Sequence, residues 1–341
     1  IGSLSASYNS FPKLSRCYNT GNVTINGEDK TSGYVAGLFN RSTTYAITVD
    51  KCYNTGAVTN HVTGNITSIA GLINATAARS NTTITDCYSS GVLTPGTATN
   101  IGGLISTYGT SFTLTVTRGI YCNDNLTDIT LQDAEYTTGI TAEEFALGKG
   151  TWLLTGGDTG ERVGGWQQGE NNWPELTDAE VPYLWQIEIA AKDAHGTVTV
   201  SGATQKEGAA TAAYVAEGAT VTPTSTADQG YTLSLIQVTK ADGSKVTVNT
   251  SDWSFTMPAE NVSLRAAFVQ QPAAGASFTV TFDANGGVLT GPASATANQA
   301  TGFRVAEPTA PTRASIDAGE GLHDKFVFLG WFMEEDGQLT E

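Results

Sequence analysis

The chain has 341 residues, a formal net charge of −16 and only 15% charged residues. That length exceeds one ordinary core and asks for two to four domains, while the acidic balance excludes a phosphate-backbone binder, which needs clustered Lys and Arg. No run of about 18 apolar residues occurs, so no membrane insertion is expected in this fragment, and scarce charge with abundant Gly and Thr favours short strands over long helices.

The chain opens at Ile1 with no initiator Met and no leader pattern, and reads as an excised piece of a longer protein. Residues 1–138 follow a repeat. Cysteines fall at 17, 52, 87 and 122, each 35 residues after the one before. Cys17–Gly21 and Cys52–Gly56 both read CYNTG, and Cys87–Gly91 reads CYSSG. A second landmark alternates with them: Gly-Ser-Leu at 2–4, Ala-Gly-Leu at 36–38 and 70–72, and Gly-Gly-Leu at 102–104, with leucine intervals of 34, 34 and 32. Each unit therefore predicts a Gly-Leu strand, a loop, a strand ending in Cys-Tyr, a Gly turn and a Val strand. A unit so small cannot bury its own apolar face. Stacking copies buries it between neighbours, which is the logic of a solenoid.

On this geometry Cys17, Cys52, Cys87 and Cys122 occupy equivalent points and form an interior ladder of small apolar side chains. Zinc sites bring cysteines in close pairs, and none occurs here. Strands about 4.8 Å apart are compatible with disulfides, although four evenly stacked thiols would have to pair selectively. A nucleophilic Cys needs a base beside it, and His61 is the one histidine of this region. The alternation of Cys-Tyr-Asn-Thr-Gly-x-Val with Ala-Gly-Leu resembles the GLUG-motif repeats of large bacterial surface proteins. The resemblance implies a right-handed parallel β-helix over residues 1 to about 130. The fourth copy, Tyr121-Cys122-Asn123-Asp124, lacks the Gly turn, as a terminal unit does.

Residues 139–186 break the rhythm and are expected to cap the stack. Thr141-Ala142-Glu143-Glu144 has the form of a capping box, predicting a short helix over about 142–148 with Phe145 inward and Gly148 near its end. Trp152, Trp166, Trp173 and Trp185 follow among apolar neighbours. The open end of a solenoid exposes strand edges that an aromatic-rich segment can cover. The same tryptophans could instead line a sugar-binding cleft, with Trp166 and Trp173 stacking on a glycan and Asn171 and Asn172 as polar partners.

From 187 to 270 the pattern becomes plain strand alternation with turn-rich connections. The order Glu217-Gly218-Ala219-Thr220-Val221, Gly230-Tyr231 and Phe255-Thr256-Met257-Pro258-Ala259-Glu260-Asn261-Val262 is similar to divergent B-repeats of bacterial surface proteins, which implies a small β-sandwich or β-grasp-like module. A second such module is expected over 271–341. There Phe278–Gly287, Pro308–Arg313 and Phe328-Leu329-Gly330-Trp331-Phe332 resemble the internalin B-repeat, also called the Listeria–Bacteroides repeat, cut short at Glu341. Asn285-Gly286 supplies the positive φ angles of a tight turn.

No catalytic constellation emerges. His61, His195 and His323 fall in three different predicted modules, and no pair of acids recurs on one face of the repeats. The sequence thus predicts an all-β, monomeric, non-enzymatic region with no cofactor, located outside a bacterial cell, on its surface or secreted. Its expected role is an adhesin or stalk that meets a host or environmental glycan or protein. Two alternatives stand beside it: the non-catalytic accessory region of a large extracellular glycan-degrading enzyme or peptidase, and a pure spacer.

Overall fold

The computed structural model describes residues 13–28, 33–42, 46–64, 68–75, 81–107, 113–124, 126, 129–192, 195–271, 275–298 and 305–313, with 316–317, 323–324, 331, 333–335 and 338–340. The landmark at 2–4 and the Phe328-Leu329-Gly330 element lie outside them. The described residues are all-β apart from two short helices. It divides into two compact units, Ile1–Val269 and Gln270–Glu341.

In the repeat region every strand pairs in parallel with its counterpart one unit on. Lys13–Ser15, Ala46–Asp50, Asn81–Ser89, Thr113–Cys122 and Thr138–Ile140 make one ladder. Val23–Ile25, Val58–Asn60 and Leu93–Thr94 make a second. Tyr34–Ala36, Ser68–Ala70 and Asn100–Gly102 make a third, and Phe39–Ser42, Ile73–Ala75 and Ile105–Thr107 a fourth. Each repeat unit contributes one strand to each ladder and is a rung of the stack. Inward residues of successive rungs meet in a core of Ile47, Val49, Cys52, Leu72, Ile84, Cys87 and Leu104.

Three thiols are stacked inside this core. The Cys17 amide donates to Cys52 Sγ at 3.3 Å and the Cys52 amide to Cys87 Sγ at 3.3 Å, each across 35 residues. The fourth is elsewhere. Cys87 pairs with Gly119, and Cys122 lies opposite Ile140, so Cys122 is not a rung of the ladder. A Cβ at Gly119 would stand 2.4 Å from Val116 Cγ1 and 2.9 Å from Leu104 Cδ2, so no thiol fits at that level. The last step of the stack follows the 32-residue Leu72-to-Leu104 interval instead of the 35-residue cysteine interval. All four cysteines are free.

One glycine column shows how closely the rungs approach. A Cβ on Gly56 would fall 2.0 Å from the Gly21 carbonyl oxygen, and one on Gly91 would fall 1.9 Å from that of Gly56. At Gly56 and Gly91 the preceding backbone occupies the place of a side chain.

The stack ends on two residues the motifs do not mark. The carboxylate of Asp133, 1% exposed, accepts from the amides of Gly103, Leu104 and Ile105 at 3.0, 2.8 and 2.8 Å. Gln132 Oε1 accepts from the Ser106 hydroxyl at 2.9 Å, and the Gln132 amide donates to the Ile101 carbonyl at 2.9 Å. These groups stand where a further rung would have supplied backbone partners. Burial holds the Asp133 carboxyl above the usual range, while its three amide donors pull the other way.

After the stack, helix α1 (Ala142–Ala146) starts on the predicted capping box, with both the Thr141 and Glu144 bonds formed and Phe145 buried. A second helix, α2 (Lys149–Leu154), follows after Gly148, whose φ of 94° turns the chain. Thr141→Ala removes one of the two box bonds and is expected to cost about 1 kcal/mol, read as a lower denaturation midpoint that Thr141→Ser restores.

The helices of the segment expected to cap the stack bury Phe145, Trp152, Leu153 and Leu154 with Ile120 and Ile140 of its last two strands. The hairpin of that segment, Trp166–Gln168 against Pro174–Leu176, runs along the flank beside the Cys-Tyr corners. There Tyr88 donates from its hydroxyl to the Pro174 carbonyl at 2.7 Å, and Arg16 of the first described rung meets Asp178 at 3.0 Å. Aromatic content alone cannot distinguish an end from a side, and Trp166 covers a side.

The module that follows has a five-stranded sheet in the order Thr211–Ala216, Leu184–Ile189, Val262–Gln270, Tyr231–Lys240, Lys245–Val246, and a three-stranded sheet of Ala203–Thr204, Gly196–Val200 and Thr224–Ala227. Both share one core, which includes Ile187, Val198, Leu233, Val238 and Leu264. Trp152 of α2 packs on Tyr214 of this module at 5.2 Å between ring centroids, and Arg162 sits 3.8 Å over the Trp185 ring. In the second unit Ser277–Thr281 pairs with Ser294–Asn298. Asn285 and Gly286 have φ of 46° and 80°, as the sequence requires, within the connecting loop.

Candidate functional site

The tyrosines of the repeat motif form a column on the flank. Tyr18, Tyr53 and Tyr88 stack at 5.0 and 5.1 Å with interplanar angles of 8° and 2°. Parallel, in-register strands place identical side chains one rung apart, which is close to ring-stacking distance. Trp166 meets this column edge-on, 5.9 Å from Tyr53 and 5.6 Å from Tyr88. It is 1% exposed. A ring sealed on both faces cannot stack on a sugar, so Trp166 is a packing residue and not a glycan platform. Trp173 is half-buried against Phe145 at 4.8 Å. Asn171 and Asn172 are exposed at the tip of the hairpin, with Asn172 at φ 67°. The four residues therefore do not converge on one cleft.

Beside the tyrosines runs a column of charged corners. Arg16, Lys51, Asp86 and Arg118 all have φ between 49° and 55°, a left-handed corner that each rung repeats. Asp86 is 1% exposed and sits between Lys51 Nζ at 3.2 Å and Arg118 Nε at 2.6 Å. Like charges brought one rung apart by the repeat are thus interrupted by a carboxylate on the third rung. Nothing in the motif marks Asp86, because the corner residue varies between copies: Arg16, Lys51, Asp86 and Arg118.

The two innermost thiols differ: the hydrogen bond with Cys87 lowers the Cys52 ionisation below the ordinary thiol value. Cys87 Sγ donates to the Thr85 carbonyl at 3.1 Å, and burial pushes its ionisation well above the ordinary thiol value. Among the described residues, no group of three or more His, Cys, Asp or Glu is arranged to hold a metal ion.

A concave surface does exist, in a place the sequence does not reveal. Between the helices and the edge strand Thr211–Ala216 lies a groove of about 510 Å³, a size that suits a small ligand or one end of a chain. Trp152 and Tyr214 give it aromatic walls, and Glu143, Glu188 and Lys206 stand exposed at its rim. Lys149 is engaged by Glu144 at 2.6 Å. Burial, helped by the Glu144 charge, raises the Tyr214 phenol, which stays a neutral donor. The arrangement sets the part-buried Tyr214 ring, packed on Trp152, among separated charged groups. Its residues come from segments far apart in the chain, so no local spacing announces it.

Residues 187–272 match the divergent InlB B-repeat domain family. No curated protein and no solved structure matches the chain significantly. No helix among the described residues is long and apolar enough to cross a membrane.

Proposed function

We propose that this chain is a non-enzymatic, adhesive stalk region of a bacterial protein displayed on the cell surface or secreted. In this reading residues 13–140 form a right-handed parallel β-helix of the GLUG-repeat kind, the segment to 186 anchors it, and a B-repeat module and an internalin-type repeat follow in the chain. The observation that carries the reading is the join. Parallel rungs in constant register lead through Trp152 and Tyr214 into the segment that matches the divergent B-repeat family.

The chemistry of the side chains favours a structural role. The buried carboxylates of Asp86 and Asp133 are occupied by ion pairs and backbone amides, the buried thiols donate to backbone carbonyls, and His195 is stacked on Tyr231 at 3.8 Å. The groove beside Tyr214 is where such a stalk would meet a glycan, and the partner is expected to be an extracellular carbohydrate or glycoprotein.

A glycan and mucin array probed with the full chain tests this. Saturable binding is expected, weakened about tenfold or more by Glu188→Ala combined with Lys206→Ala, at an unchanged denaturation midpoint. An array without hits would leave the spacer as the better account.

A further inference from the structure

Two of the stacked thiols meet the requirements for a covalent bond between rungs. Asp50 pairs with Thr85 and Tyr53 with Tyr88 in the parallel ladder, so Cys52 and Cys87 lie opposite each other between two fixed points. The Lys51 amide donates to the Thr85 carbonyl at 2.9 Å, and the Tyr88 amide donates to the Cys52 carbonyl at 3.1 Å. These bonds hold the two backbones at the inter-strand spacing of about 4.8 Å. A disulfide accepts Cα separations of about 4.4–6.8 Å. Both side chains point into the core, where the Cys52 amide donates to Cys87 Sγ at 3.3 Å.

Four equal thiols would have no preferred pairing, but the column is not uniform. On the rung after Cys87 the opposite residue is Gly119, and Cys122 lies opposite Ile140. Among the described residues Cys87 therefore has Cys52 as its one cysteine neighbour. Cys52 also meets Cys17, whose amide donates to Cys52 Sγ at 3.3 Å. The thiol-to-thiol hydrogen bond that Cys52 shares with Cys87 outweighs the one it shares with Cys17. It favours the Cys52 thiolate, whereas burial pushes the Cys17 and Cys87 thiols up. The thiolate is the attacking species in thiol–disulfide exchange.

We infer that Cys52 and Cys87 are a modification site that closes to a disulfide between adjacent rungs when the chain meets a low-molecular-weight disulfide. The Cys52 thiolate attacks one sulfur of that reagent and expels the other as a thiolate. Cys87 gives its proton to the expelled thiolate, attacks Cys52 Sγ of the mixed disulfide and expels the remaining half of the reagent. One S–S bond breaks in the reagent and one forms in the protein. The two cysteines lose two electrons and two protons, and the reagent takes them up as two thiols. Both sulfurs are buried, so exchange proceeds through local opening of the stack. The link ties the rung of Tyr53 to that of Tyr88 and does not depend on the glycan reading.

The full chain is equilibrated in glutathione buffers of increasing oxidised-to-reduced ratio, alkylated in denaturant, digested and mapped by mass spectrometry. Cleavage after Lys51, Arg79 and Arg118 separates the four cysteines into different peptides. The expected product has lost two free thiols and carries a reducible link between the Cys52 and Cys87 peptides. Cys17→Ala combined with Cys122→Ala should keep that link, and Cys87→Ala should abolish it. The oxidised chain should denature at a higher midpoint until dithiothreitol is added, because the link constrains the unfolded chain. Four free thiols at equilibrium, glutathione retained on a single cysteine, or a link from Cys17 to Cys52 in place of the expected one overturns the proposal.

Discussion

Trp166→Ala is expected to lower the stability of the larger unit by about 3–5 kcal/mol, the range for removing a large buried aromatic side chain. Trp166 is the largest of the fully buried side chains and is 1% exposed. It joins Tyr53 and Tyr88 on two rungs to the hairpin that carries Pro174. Its loss opens a cavity shared by the stack and its flank, and those rigid strands cannot collapse to fill it. The indole nitrogen has no hydrogen-bond partner among the described residues, so Trp166→Phe should recover much of the loss by restoring ring volume without a buried donor. The measurement is chemical denaturation followed by intrinsic fluorescence and far-ultraviolet dichroism. A variant that keeps its midpoint but loses a carbohydrate ligand would return Trp166 to the surface role that its composition first suggested.

Asp86→Asn is expected to cost about 3 kcal/mol, because removing one partner of a buried ion cluster strands the others. Asparagine retains the shape of the side chain and tolerates the left-handed corner at φ 55°, so the loss isolates charge. Without the carboxylate, Lys51 and Arg118 are left uncompensated on the rungs either side of position 86, with side chains 23% and 11% exposed. Combining Asp86→Asn with Arg118→Gln should recover part of the loss, since the second change removes one of the stranded cations. Equal midpoints for wild type and Asp86→Asn would show that solvent screens the cluster as it does a surface pair.

These two residues sit on the same flank and serve one purpose. A repeat that brings identical residues within one rung of each other gains where they are tyrosine or asparagine. It is penalised where they are like charges. Tyr18, Tyr53 and Tyr88 illustrate the gain, and Asp86 between Lys51 and Arg118 relieves the penalty. The tryptophan hairpin then covers the column that the tyrosines build. The groove beside Tyr214 adjoins this flank through Trp152, which shares one buried cluster with Tyr88 and Trp166.

The sequence by itself determined the all-β class, the parallel register of Cys17 with Cys52 and Cys87, the capping box at Thr141 and the positive-φ turn at Asn285-Gly286. All four depend on nearest neighbours or on a strict period, which the order of residues records directly. It also contained the correct last step in the Leu72-to-Leu104 spacing, hidden behind a cysteine at position 122 that keeps the period without keeping the place. Only the tertiary structure decided that Gly119 replaces that cysteine, that Trp166 is sealed against the flank, that Asp133 ends the ladder, and that α2 and Thr211–Ala216 enclose a groove. The physical reason is common to all of these: each is settled by volume and hydrogen-bond demand between segments far apart in the chain.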